Sequence, residues 1–313
     1  MITVISGGVG AARYLTGQLL TTPAREVTAV VNVADDVELH GLRISPDIDT
    51  VIYTLSGAVD RGRGWGLADE TWHALTGLQE LGLDAWFRLG DRDLATHMFR
   101  TTLLREGRSL SEVTARLAAA RGLECRVLPV SDDPIETRVT LAATRSEPQR
   151  EVGFQEYFVR LGHKPAVAGV RFAGIDAAEA APGVLEAIND ADAVVIAPSN
   201  PVVSIGPVLA VRGVAEALAA RRERNVAVSP LVAGATLKGP ADRMMRSLGE
   251  APSAVGVARR YRDLVAKLVI DEADAGLAEA VAATGVEPVV AQTVMSSPQA
   301  AAALALTAVA ALR

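Results

Sequence analysis

The chain predicts a doubly wound α/β fold: a parallel sheet core with helices on both faces and an inserted α+β region. Two observations carry this. Short apolar segments, rich in β-branched residues and fit for burial on both faces, recur along the chain. Helical patterns separate them, and a strand–helix–strand unit closes as a right-handed crossover between parallel strands.

Ile2–Ile5 reads as the first strand, Ala11–Leu20 as a helix and Thr28–Val33 (TAVVNV) as the second strand. Later strands are expected at Ala193–Ala197, Asn225–Val228, Lys267–Ile270 and Pro288–Ala291. Helices are expected at Val208–Ala220, Ala241–Leu248 and Ala254–Asp263, with a final alanine-rich helix over 300–312. The middle has a different character. Asp69–Leu81, Arg92–Arg105 and Leu110–Arg121 read as helices, with Ser109 or Ser111 able to cap the last. Cys125–Val130, Glu136–Ala142 and Val167–Phe172 read as strands, and Ser146–Glu151 as a turn. The stretch from about 61 to 180 is therefore expected to be an elaboration inserted into the core. No Gly/Ser linker and no repeat divides the chain, so residues 1–313 read as one domain.

Composition narrows the function classes. Half of the 313 residues are apolar, enough for a packed core. The net charge of −6 gives no support to nucleic-acid binding. The one cysteine, Cys125, excludes an intrachain disulfide and a zinc cluster. No run reads as a signal peptide or a membrane span, so a cytoplasmic location is expected. The three tryptophans fall between 65 and 86, as core packing or as an aromatic-lined surface.

The first strand runs into Ser6-Gly7-Gly8-Val9-Gly10. A Walker loop would need a lysine after Gly10, and a dinucleotide loop would need glycine where Arg13 stands. The physics outlasts both failures. Glycines let the backbone approach an anion, and the helix start offers free N–H groups. The loop is read as a phosphate cradle with Arg13 as a nearby cation; a bare strand–helix turn is the alternative. Asn32 and Ala34-Asp35-Asp36 follow the second strand, where open α/β sheets bind ligands. In Ser45-Pro46-Asp47-Ile48-Asp49-Thr50 the two acids could hold a hard cation such as Mg2+, or cap a helix from Thr50 to Leu55. Arg88 and Arg92 flank Leu89-Gly90-Asp91, and His97 on the next helix reads as structural or as a base. Ser199, Asn200 and Ser204, between prolines, offer neutral hydrogen bonds to a phosphate or base edge. Lys238 follows the next polar turn. No nucleophile elbow and no zinc-protease motif is present. The chemistry is expected to rest on positioning, charge neutralisation and a metal ion.

Taken together, SGGVGAAR, VVNVADD, ISPDIDTVIYTLSG, RGWG, LGDRDLATH, PVSDDPIETRV, IAPSNPVVSIGP and VSPLVAGATLKGPA resemble the 2-phospho-L-lactate transferase family of coenzyme F-420 biosynthesis. The likeness runs from Met1 to about Asp274 and weakly beyond. RGWGLADETWHAL is most similar to actinobacterial members, which implies a phosphoenolpyruvyl-guanosine diphosphate donor rather than the lactyl analogue. The resemblance implies a Rossmann-like core, Mg2+, a homodimer and transfer to the ribityl hydroxyl of the deazaflavin Fo with release of GMP. It implies that Asp49 and Arg88 contact Fo, that Asp49 serves the chemistry, and that Asp47, Asp35 and Asp36 bind the metal. Gly7, Gly8, Gly10, Arg13, Asn32, Ser199, Asn200 and Ser204 then fall to the nucleotide and its phosphates. Two other readings stand beside it: an NAD(P)-dependent oxidoreductase, and a non-catalytic nucleotide or deazaflavin carrier.

Overall fold

The computed structural model describes residues 1–312. Its core is a seven-stranded sheet of β1 (Ile2–Ser6), β2 (Val27–Val31), β3 (Arg126–Pro129), β4 (Ala193–Ile196), β5 (Asn225–Val228), β6 (Lys267–Asp271) and β7 (Glu287–Ala291). The spatial order is β7-β6-β5-β4-β1-β2-β3, and every pair is parallel. The expected fold class is therefore the observed one. β1, β2, β4 and β5 are buried at every position, which is why they read as unbroken apolar runs. The edge strands β3 and β7 carry Pro129 and Pro288, where a missing N–H is tolerated.

Helix α1 (Gly8–Thr21) starts at the glycine loop itself, three residues before its expected start. It packs against α2 (Pro46–Leu55) and the C-terminal helix. In the elaboration lie α3 (Asp91–Arg105) and α4 (Leu110–Ala120). Ser109 caps α4: its Oγ accepts from Glu112 N, and Glu112 Oε2 accepts from Ser109 N. Helix α5 (Pro298–Ala310) crosses α1 at backbone contact, because a Cβ on Gly17 would sit 2.2 Å from Ala301 C.

Three expectations change. The strand expected at Cys125–Val130 is not part of the elaboration: as β3 it pairs in parallel with β2, Thr28 opposite Arg126 to Val31 opposite Pro129. The elaboration is thus split around a core strand. The helix expected over Val208–Ala220 is broken, with Gly206–Ala210 and Val214–Ala220 separated at Gly213. Gly213 has φ +85, a left-handed conformation that cannot continue the helix. The helix considered from Thr50 begins at Pro46, which suits the first helical position, so both acids lie in its first turn. Three pairings had no counterpart in the sequence reading: the hairpins Val37–Leu39 with Leu42–Ile44 and Leu231–Val232 with Ala235–Thr236, and the strand Arg150–Gly153 beside Glu136–Leu141.

Candidate active site

The strand order reverses between β1 and β4. Their outgoing loops diverge there and open a crevice at the carboxyl end of the sheet. A cavity of about 690 Å3 fills it. The loops after β1, β4 and β5, the first turn of α2, and the elaboration all line it.

Sequence puts glycine where side chains would collide. A Cβ on Gly10 would stand 2.1 Å from Pro198 O, and one on Gly7 would stand 2.6 Å from Ser204 Cβ. Gly8 has φ +66. Ser199 Oγ donates to Gly7 O at 2.6 Å and so ties the β4 loop to the β1 loop. Gly7 caps α1 without a side chain, leaving first-turn N–H groups facing the crevice.

The acids differ in their placement. Asp47 lies against the glycine loop, where Gly8 N–H and Asn32 Nδ2 (3.0 Å) hold its carboxylate. Asn32 does not line the cavity; fully buried, it orients Asp47 and accepts from Ala34 N at 3.0 Å. Asp35 does line the cavity, and its Oδ1 is buried with no hydrogen-bond partner. Burial, reinforced by the charges of Asp47 and Asp36, holds the Asp35 carboxyl well above the usual range. Burial likewise lifts Asp47 to about 6, against the pull of Asn32 and Gly8. Asp36 does not join the other two at the cavity wall. It accepts from Ser45 Oγ at 2.6 Å and faces the charges of Arg100 and Arg43, while burial pushes it up to about 7. Neighbours in a turn diverge, so the expected three-carboxylate set is not assembled; among the described residues no group of three or more acids, histidines and cysteines could hold a metal ion. Asp35 and Asp47 alone fit a hard cation. They offer oxygen only, one of those oxygens is orphaned, and their mutual repulsion would be relieved. Magnesium commonly takes one or two carboxylates, with phosphate oxygens completing its shell.

Asp49, two residues further along the same first turn, also lines the cavity. Its two oxygens pair with Nη1 (3.1 Å) and Nη2 of Arg100, which is fully buried on α3. Arg100 Nη1 also lies 3.3 Å from His97 Nδ1, and His97 Nε2 lies 3.2 Å from Asp93 Oδ2. Tyr53 OH donates to Asp93 Oδ1 at 2.5 Å and closes the ring of contacts. The sequence reading missed Arg100, Asp93 and Tyr53. The available signal was spacing: 93, 97 and 100 share one face of α3, and 49 and 53 one face of α2.

Cations and aromatics line the more exposed wall. Arg88 stands over the Trp72 ring at 4.5 Å, and Arg63 lies 5.4 Å from both Trp65 and Trp72. Trp65 and Phe87 line the cavity, so the tryptophan cluster serves a surface as well as packing. Phe158 stacks on Phe154 and on His163, with centroids 5.5 and 5.4 Å apart. Arg13 and Lys238 converge near Gly64. Asn200 and Ser204 line the cavity, but Asn200 Oδ1 is engaged by Val202 N at 2.9 Å as a turn lock.

Comparison with known proteins gives the family. The family model described as 2-phospho-L-lactate transferase CofD matches residues 2–307. A phosphoenolpyruvate transferase of Kitasatospora aureofaciens is 43% identical over 99% of this chain and 97% of its own. One of Mycobacterium sp. (strain JLS) is 46% identical over 83% of each chain. Among solved structures, a UPF0052-family protein of Bacillus halodurans superposes with a TM-score of 0.61 at 18% identity, over 97% of this chain and 98% of that one, which speaks for the fold. With a match spanning nearly its whole length and close relatives of one name, the chain belongs to the 2-phospho-L-lactate transferase family and is a transferase.

Proposed function

We propose that the protein transfers a phosphoenolpyruvyl group from its guanosine-diphosphate-linked donor to the deazaflavin Fo, in coenzyme F-420 biosynthesis. The single observation that carries this is one cavity in which a glycine cradle and two carboxylates face Asp49 and Arg88. The name shared by the relatives favours the enolpyruvyl over the 2-phospho-L-lactyl donor. An NAD(P) reading loses support, because Asn32 is committed to Asp47 and Arg13 stands in place of the third glycine.

In this reading the donor's diphosphate lies on the N–H groups of Gly8 to Gly10, with Arg13 and Lys238 beside it. The Fo ribityl hydroxyl donates to Asp49, which aims its lone pair at the phosphorus bearing the enolpyruvyl ester. A new P–O bond forms, the anhydride P–O bond breaks, and its electron pair leaves with GMP. The hydroxyl proton goes to solvent. Arg88 with Trp72 offers a cationic, aromatic surface to the deazaflavin. Asp35 and Asp47 would hold Mg2+, whose chemistry when bound is to offset phosphate charge. The product is dehydro-F-420-0, or F-420-0 from the lactyl donor.

The test is direct. Purified protein, Fo, Mg2+ and each donor are incubated, and products are read by mass spectrometry. Product with GMP release supports the transfer, and its loss in EDTA supports the metal. Binding of Fo and donor without turnover would instead favour a carrier. The reading also carries a cytoplasmic homodimer, which light scattering and cell fractionation check. Among the described residues no helix is long and apolar enough to cross a membrane.

A further inference from the structure

Asp49 is not an isolated carboxylate. Arg100 is the largest fully buried side chain of the described residues, and it does not line the cavity. It stands behind Asp49 and meets both carboxylate oxygens. Two planar groups joined by parallel bonds fix rotation as well as distance. The same Nη1 also reaches Arg43 O at 3.4 Å and His97 Nδ1 at 3.3 Å. His97 is held in turn by Asp93, and Thr101 Oγ donates to His97 O at 2.6 Å. Asp93 N is itself fixed by Glu70 Oε1 at 2.8 Å. The guanidinium therefore has little freedom to swing.

Stability alone does not account for such an arrangement. A buried ion pair is often no more stable than apolar residues of the same volume, since both partners lose their hydration. What the pair supplies is a carboxylate of fixed orientation at the wall of a cavity.

We infer that Arg100 is a positioning residue: with His97 beside it at the cavity wall, it sets the direction of Asp49 so that the acceptor's hydroxyl is aimed at the phosphorus. The inference rests on the reading of Asp49 as the acceptor's contact. Arg100 touches no substrate and acts only through Asp49. Lysine in its place would keep the charge but make one bond where the guanidinium makes two, leaving the carboxylate free to rotate.

The experiment is a double-mutant cycle of Arg100→Lys and Asp49→Asn, with kinetics for acceptor and donor and circular dichroism as the folding control. Arg100→Lys is expected to lower kcat/KM for Fo by ~10- to 100-fold, since small misplacements of a reacting group have losses of that order. The donor's KM should stay within ~2-fold, as its cradle is elsewhere. In the Asp49→Asn background, Arg100→Lys should have no further effect on kcat/KM, because the carboxylate it aims is gone. Losses that multiply instead, or equal losses toward donor and acceptor, would overturn the inference. Absence of turnover in the wild type would sink the transferase reading, a different outcome from turnover with multiplying losses. Should Arg100→Lys not fold, His97→Gln loosens the guanidinium from the cavity side; the same selective, non-multiplying loss is expected, and a multiplying one counts against it.

Discussion

Gly10→Ala is the most direct test of how the switch point is built. The added Cβ would stand 2.1 Å from Pro198 O and 3.2 Å from Pro198 C. These are backbone atoms in a turn locked by Asn200, so no flexible chain end can yield. Overpacking of this kind costs about 1–3 kcal/mol. Alanine's better helix propensity returns at most about 1 kcal/mol, and less in a first turn. The net expectation is a loss of ~1–2 kcal/mol, a drop in Tm of ~2–6 °C for a chain of this size. Donor KM should rise as well, because the loop's N–H groups move with the collision. The control is the same change elsewhere. Gly77 lies inside the helix His73–Glu80, has no positive φ, and its Cβ would meet nothing within 4 Å. Gly77→Ala should therefore gain about 0.5–1 kcal/mol. Thermal and denaturant melts of both variants read the pair. A Gly10→Ala protein that melts at or above the wild-type temperature would refute the close approach of the β1 and β4 loops.

Further outcomes follow from the charges. Asp35, Asp36 and Asp47 titrate higher folded than unfolded, so between about pH 4 and 7 the folded state binds more protons and its stability falls as pH rises. In EDTA the Tm should be several degrees higher at pH 6 than at pH 8, and Asp36→Asn should shrink that difference; a flat profile would contradict the crowding of these acids. Asp49→Asn should lower turnover by ~100-fold or more to a measurable residual rate, and also destabilise by ~1–3 kcal/mol, because it leaves Arg100 underpaired while Asp36 and Asp93 still offset its charge. Unchanged melting would argue against the buried pair. Arg88→Ala, at an exposed site over Trp72, should leave stability within about 0.5 kcal/mol yet raise KM for Fo ~10-fold. Fluorescence titration with Fo reads the change, and an unaltered affinity would remove Arg88 from the acceptor site.

The parts legible in the sequence are those whose physics is local. β1, β2, β4 and β5 are covered on both faces, so their burial writes itself as continuous apolar runs. The glycine loop shows itself because close backbone approach admits no side chain at Gly7 or Gly10. Arg100 was illegible for the opposite reason. An arginine on a polar helix face ordinarily signals solvent, and only the approach of α2 makes that face interior. The same holds for β3, whose four residues resemble any short strand until their partner is known. Asp36 could not be told from Asp35 by sequence, since which of two adjacent carboxylates faces a cavity depends on the turn. The break at Gly213 was in principle readable, but a glycine inside a helical pattern does not announce its φ.

In the proposed reading, charge explains how one cavity would take two dissimilar substrates. The buried groups lining it include Asp35, Asp47 and Asp49, while Arg13, Arg88 and Lys238 are exposed. A donor diphosphate set on the glycine loop comes beside the Asp47 carboxylate. At ~4 Å and an effective dielectric near 20, each such like-charge pair costs about 4 kcal/mol. A helix N-terminus returns only about 0.3–1 kcal/mol in exposed settings, and up to ~2 when partly buried. The helix start alone does not offset a charged Asp47; in the proposed reading a divalent cation held by Asp35 and Asp47 offsets that repulsion and keeps both acids ionised. The acceptor faces no such barrier. Its ribityl chain is neutral, and Asp49 is already matched by Arg100. EDTA should then abolish donor binding while leaving Fo binding intact, as separate titrations by calorimetry and by deazaflavin fluorescence would read. Equal loss of both ligands would show that the metal organises the whole cavity, and donor binding that survives EDTA would show that the exposed cations alone suffice.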